Sequence, residues 1–101
     1  MTTTIERENG NAIVNFIGRL DTPSAPQVET EVQQLMDGSI KDVVVNCADL
    51  SYISSSGLRI LITLNKFFMK NGGSLTISKL SPEIKEVFDM TGFTSIFNIV
   101  D

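Results

Sequence analysis

Apolar and polar positions follow different rhythms along this chain, and each rhythm predicts an element. Between residues 12 and 17 apolar side chains fall on both faces of an extended segment, with Ala12, Val14 and Phe16 on one and Ile13 and Ile17 on the other. That pattern predicts a strand inside a sheet. The segment before it, Thr2 to Glu8, is threonine-rich and ends in Glu6, Arg7 and Glu8, which suits an edge strand. Asn9-Gly10 joins the two and supplies the positive φ angles of a tight hairpin. Val28, Val32, Leu35 and Met36 then recur at helical spacing. Ser24 and Gln27 fit a capping box for this helix, Pro26 is tolerated in its first turn, and Gly38 ends it.

Val43-Val44-Val45 is a β-branched run without alternation, predicting a strand covered on both faces, with Cys47-Ala48-Asp49-Leu50-Ser51 leading out of it. A second helix starts near Ser55 or Ser56, carries Leu58, Leu61, Ile62 and Phe68, and stops at Asn71-Gly72-Gly73. Leu75, Ile77 and Leu80 mark a further strand. Ser81-Pro82 opens a third helix as N-cap and first-turn proline, with Ile84, Val87 and Phe88 facing inward and Gly92 closing it. Ile96 to Val100 reads as the last strand. The order is β-β-α-β-α-β-α-β, which predicts an α/β fold as one domain over residues 1–101. Its sheet is mixed and mostly parallel, with about five strands, an N-terminal antiparallel hairpin and three or four helices.

Composition narrows the chemistry. The chain has no His, one Cys and no Trp. Without His there is no Ser-His-Asp or Cys-His nucleophile pair and no imidazole ligand, and Cys47 alone makes neither a disulfide nor a thiolate zinc cluster. No metal and no cofactor is therefore expected. A net charge of −4 argues against a phosphate-backbone footprint, so nucleic acid is not an expected partner. The N-terminal residues carry no apolar signal stretch, and Ile60-Leu61-Ile62 is far short of a bilayer span. The expectation is a cytoplasmic protein without membrane insertion.

Ligands of open α/β sheets gather at the carboxyl ends of parallel strands. Three segments answer that description: Leu20-Asp21-Thr22, Ser54-Ser55-Ser56-Gly57 and Leu80-Ser81. The serine run lies where a loop enters a helix, so one serine is expected as its N-cap. Capping alone is the bland reading; the functional one is a hydroxyl exposed where the helix dipole and free N–H groups favour a phosphate. Cys47 reads as a small core residue, Gly72-Gly73 as a plain C-cap turn, and Glu29, Glu31, Asp37 and Asp42 as solvated surface.

Three segments together resemble the STAS domains of the anti-sigma factor antagonist (anti-anti-sigma factor) type. Gly18-Arg19-Leu20-Asp21 is similar to that family's Gly-x-Leu-Asp segment. Asp49-Leu50-Ser51-Tyr52-Ile53-Ser54-Ser55-Ser56-Gly57-Leu58 is similar to its signature, and Ser81 to Phe93 resembles its late helix. Ser54 stands where many members carry Asp. The resemblance implies that Ser55 is the residue phosphorylated by an anti-sigma factor acting as a serine kinase. It also implies that Asp21, Thr22, Ser54, Ser55, Ser56, Gly57 and Arg59 form the partner-binding surface, and that a serine phosphatase resets the switch. On this reading the unphosphorylated chain binds the anti-sigma factor and frees the sigma factor, with no catalysis of its own. The alternative within the same family is a non-switching assembly subunit of a transporter ATPase or signalling scaffold, with Ser55 merely capping its helix. An enzyme or nucleotide-binding domain ranks last, because no phosphate-cradling lysine motif or paired base is present.

Overall fold

The computed structural model describes all residues, Met1–Asp101. Its strands are β1 (Thr2–Glu8), β2 (Asn11–Leu20), β3 (Asp42–Ile53), β4 (Ser74–Ser78) and β5 (Asn98–Val100). Its helices are α1 (Ala25–Gln33), α2 (Ser55–Lys70) and α3 (Pro82–Thr91). One sheet has the order β1-β2-β3-β4-β5, with β1 and β2 antiparallel and every later pairing parallel. The element order, the opening hairpin and the three helices are those the sequence predicts. Asn9 and Gly10 turn the hairpin with φ of 50° and 82°, and β1 is the sheet's edge.

All three helices feed one core on a single face of the sheet. Ala12, Val14 and Phe16 of β2, Val43, Val45 and Cys47 of β3, and Leu75 and Ile77 of β4 meet Val28, Val32, Leu58, Leu61, Phe68, Ile84 and Phe88 there. Apolar burial is the main favourable term in folding, and aromatic side chains contribute the largest areas; Phe16, Phe68 and Phe88 are fully enclosed. Burial pushes the Cys47 thiol up to about 12. The thiolate, which is the reactive form, is thus nearly absent at neutral pH. Native protein should therefore leave a disulfide-exchange reagent unconsumed at pH 8, and unfolding in guanidinium should release one reactive thiol per chain. Rapid labelling of the folded protein would contradict this placement.

The other face of the sheet is open, which corrects one expectation and leaves the interior place of β2 as predicted. Val44 is only half-buried between two fully buried valines, so β3 is covered on one face rather than two. Ile13 and Ile17 remain 42% and 39% exposed, so β2 is an interior strand by hydrogen bonding but half-solvated by side chain. Polar side chains hold this open face together. The Asn15 amide donates to Thr4 Oγ1 and Glu6 Oε2 at 3.0 Å each, and Asn46 donates to Asn15 Oδ1 at 2.9 Å. Cross-strand pairs of this kind stabilise an antiparallel or parallel ladder without a covering layer.

Several boundaries also move. β3 does not end near Val45 but runs through Asp49-Leu50-Ser51 to Ile53. β4 stops at Ser78, leaving Leu80 in the following loop, and β5 starts at Asn98 rather than Ile96. A 3₁₀ turn over Gln34–Met36 separates α1 from Gly38. The predicted capping box of α1 is not formed, since Ser24 occupies the N-cap but its side chain makes no cap bond. By contrast α3 begins as expected, with the Ile84 N–H donating to Ser81 Oγ at 3.3 Å, and Gly92 ends it at φ 79°.

Candidate functional site

The site is built where β2 and β3 reach past the rest of the sheet. The last β3 residue paired with β4 is Asn46, opposite Ser78, seven positions before Ile53. Beyond it β3 pairs with β2 alone, in a ribbon with two register irregularities that ends with Arg19 opposite Tyr52 and Leu20 opposite Ile53. The Ser54 N–H then donates to the Leu20 carbonyl at 2.8 Å, tying the entry of α2 to the exit of β2. Leu20-Asp21-Thr22 and the serine run are therefore brought together, as strand direction predicts. Leu80-Ser81 shares the carboxyl edge, but β4 ends well short of that level.

The three serines divide their tasks. Ser54 is the N-cap of α2, extended at φ −92° and ψ 172°, and its Oγ accepts from the Gly57 N–H at 3.2 Å. The residue as a whole is 8% exposed, so the capping serine is withdrawn from solvent. Ser55 and Ser56 begin the helix, and their N–H groups have no intrahelical acceptor. Ser55 is exposed and its hydroxyl forms no hydrogen bond within the protein, while Ser56 is half-buried. Capping, the bland role for Ser55, thus belongs to its neighbour.

Gly57 is buried because the first turn of α2 rests on the ribbon. A Cβ there would lie 2.7 Å from Leu20 Cγ and 2.9 Å from Ile53 Cγ1. Its expected place on the partner-binding surface is therefore one of support beneath the exposed turn.

Asp21 and Ser24 lock the other half of the site. The Ser24 N–H donates to Asp21 Oδ1 and the Asp21 N–H donates to Ser24 Oγ, each at 3.0 Å. This reciprocal pair, and not Ser24 with Gln27, caps the turn leading into α1. The Ser24 side chain and backbone N–H, with the Arg19 charge adding to them, hold the Asp21 carboxyl below its ordinary range. Asp21 is accordingly ionised at neutral pH, and its contribution to the turn is lost as pH falls through that lowered value. Thr22 and Arg59 are exposed. They line a cleft of about 280 Å³ between α1 and α2, Thr22 on the α1 side with Glu29 and Val32, and Arg59 on the α2 side with Ser56 and Ile60.

One feature was not legible from spacing. The Arg19 guanidinium lies 4.3 Å from the centre of the Tyr52 ring, a cation–π contact at the ribbon tip. Two register shifts between β2 and β3 make these residues neighbours, so no periodicity in either segment announces the pair.

A five-stranded sheet covered on one face, with a helix N-terminus presenting an unspent serine beside a capped aspartate, defines a small single-sheet α/β domain. The chain belongs to the STAS domain family, whose model matches residues 2–101. It is 33% identical to the Bordetella bronchiseptica protein BtrV over 101 residues, covering 100% of this chain and 87% of that one. It is also 34% identical to the anti-sigma-B factor antagonist of Bacillus subtilis over 94 residues, or 92% and 85% of the two chains. The fold superposes on the anti-sigma factor antagonist SpoIIAA in its unphosphorylated form with a TM-score of 0.79, at 18% identity, covering 99% of this chain and 88% of that one. For the Bacillus cell fate determinant SpoIIAA in the phosphorylated form the TM-score is 0.78, at 18% identity, with 99% and 92% covered. No helix is long and apolar enough to cross a membrane.

Proposed function

We propose that this protein is an anti-sigma factor antagonist whose binding to an anti-sigma factor kinase is switched off by phosphorylation of Ser55. The observation that carries the reading is the free hydroxyl of Ser55 at the first turn of α2, next to a serine that already does the capping. A hydroxyl spent on the backbone would be a poor phosphoacceptor; this one is exposed and unbonded. The names of relatives such as the Bacillus subtilis anti-sigma-B factor antagonist support the same class of partner.

Phosphorylation adds roughly −1.5 to −2 charges at neutral pH. Within the chain that charge sits at the positive end of α2, where free N–H groups stabilise an anion. At a packed interface it must be desolvated, and the ionised Asp21 of the same surface adds repulsion. The unphosphorylated chain thus docks through Asp21, Thr22, Ser55, Ser56 and Arg59, with Ser54 and Gly57 shaping the turn, and leaves the sigma factor free. A serine phosphatase restores the docking state. In this reading the protein works as a cytoplasmic substrate of an enzyme, without catalysis of its own.

The test is intact-mass measurement and peptide mapping of the protein purified from its native host. A phosphate-sized increment is expected on the peptide holding Ser54, Ser55 and Ser56, and it should vanish in Ser55→Ala. Phosphate on another residue, or none under conditions that activate and silence the pathway alike, would overturn the reading.

A further inference from the structure

We propose that Arg59 is the intramolecular counter-ion of a phosphate on Ser55, drawn onto it from the rim of the α1–α2 cleft when Ser55 is modified. The proposal rests on the reading of Ser55 as the modified residue.

Reach follows from the helix. Ser55 and Arg59 both lie on α2, four positions apart. Residues so spaced are neighbours on a helix surface, with about 5–6 Å between their Cβ atoms, and an acid placed N-terminal to its cation is the favoured order. Helical side chains lean toward the N-terminus, so Arg59 covers the turn that holds Ser55 and Ser56. At about 100° per residue it falls between the two, roughly 40° from Ser55 and 60° from Ser56.

Arg59 is also an unengaged cation. It is exposed, and the ion pair of this protein is Arg7 with Asp37. Its bond outside the helix ladder is made by its carbonyl, which accepts from the Thr63 hydroxyl at 3.0 Å and leaves the guanidinium donors free. A guanidinium grips phosphate oxygens in pairs, through charge-assisted bonds stronger than neutral ones.

The neighbouring charges offer it no better partner. Glu29 of α1 lines the same cleft but makes no ion pair with it, and the Asp21 carboxylate already accepts the Ser24 N–H. Nor does Arg19 compete for the phosphate. It alternates with Leu20, as Tyr52 does with Ile53, and Leu20 and Ile53 are the side chains beneath Gly57 in the first turn of α2. Arg19 and Tyr52 therefore face away from that helix. With Ser55 unmodified, Arg59 stands at the cleft rim beside Ser56; a phosphate on its other flank draws it off and leaves Glu29 as the remaining charge of the cleft lining.

The experiment uses full-length protein with phosphoserine placed at position 55 by genetic encoding, so that no kinase is needed. Its second ionisation, about 6 for an ordinary phosphoserine, is followed by ³¹P NMR at low ionic strength in the parent, Arg59→Gln, Arg59→Lys and Arg19→Gln. The free N–H groups of α2 act alike in all four, so differences among them isolate the side chains. The parent is expected to titrate about 0.7 of a pH unit below Arg59→Gln, the effect of one positive charge at about 4 Å in water. Arg59→Lys should recover most of that lowering, and Arg19→Gln should match the parent. Arg7, Arg19 and Arg59 are the only arginines, so three side-chain Nε–H signals report where the phosphate is held. Phosphorylation should move the Arg59 signal and leave those of Arg7 and Arg19 in place. Equal titration of parent and Arg59→Gln, or movement of the Arg19 signal alone, would overturn the proposal. Failure to find phosphate on Ser55 in the native host would instead strike the functional reading and leave this measurement standing.

Discussion

Replacing Gly73 with alanine is expected to destabilise the protein by about 3 kcal/mol, a loss in thermal midpoint on the order of 15 °C for a domain of this size. A Cβ at Gly73 would stand 1.8 Å from the Lys41 carbonyl oxygen and 2.9 Å from its carbon. Those are backbone atoms, so no rotamer change can relieve the contact. The same carbonyl accepts the Ser74 N–H at 3.1 Å, at the point where β3 and β4 begin to pair. Moving it aside breaks that bond and shifts the first rung, Asp42 with Ser74. The neighbouring Gly72 supplies the control. It has φ 77° and nothing within 4 Å of a Cβ, so Gly72→Ala carries only the left-handed strain, about 1–2 kcal/mol. Thermal unfolding followed by circular dichroism separates the two. Equal losses at both positions would show that the close approach to Lys41 is not the dominant constraint.

The second large effect concerns binding. Ser55→Glu is expected to weaken the complex with an anti-sigma factor kinase from the same host by about 2–5 kcal/mol, roughly 30-fold to several thousand-fold in Kd. The magnitude is that of an unpaired charge carried into a packed interface, with Asp21 beside it. Ser55→Ala should bind within about threefold of the parent, since the hydroxyl gives up no intramolecular bond, and it should resist phosphorylation. Titration calorimetry of the three proteins against the same partner reads both outcomes. Because Ser54 and not Ser55 caps α2, neither change should move the thermal midpoint by more than a few degrees, whereas Ser54→Ala removes the cap and should cost about 1 kcal/mol. Parent-like affinity of Ser55→Glu would remove the charge-switch mechanism.

Much of the fold was legible in local chemistry. Asn9-Gly10, Ser81-Pro82 and Gly92 each encode a backbone geometry that few other residues accept, so the hairpin and both ends of α3 follow from residue type alone. The helical spacing in α1 and α2 likewise names the side that packs inward. The reading of the valine run failed because Val43-Val44-Val45 is apolar on both faces while only one face is covered. Whether a strand's second face meets a helix or water depends on where the helices dock, and no period within the strand records that.

At the site, the sequence by itself determined that a helix begins in the serine run, that no histidine or thiolate chemistry accompanies it, and that an aspartate precedes the first helix. Tertiary structure alone decided which serine caps, because that choice rests on the Ser54 N–H meeting the Leu20 carbonyl of another strand. It also decided the Asp21–Ser24 lock, the stacking of Arg19 on Tyr52 and the closeness of Gly73 to Lys41. Local propensities act over a few residues and can be read in order along the chain. The register between β2 and β3, with its two shifts, is set by packing across some thirty positions, and the contacts that leave Ser55 free exist only once that register is made.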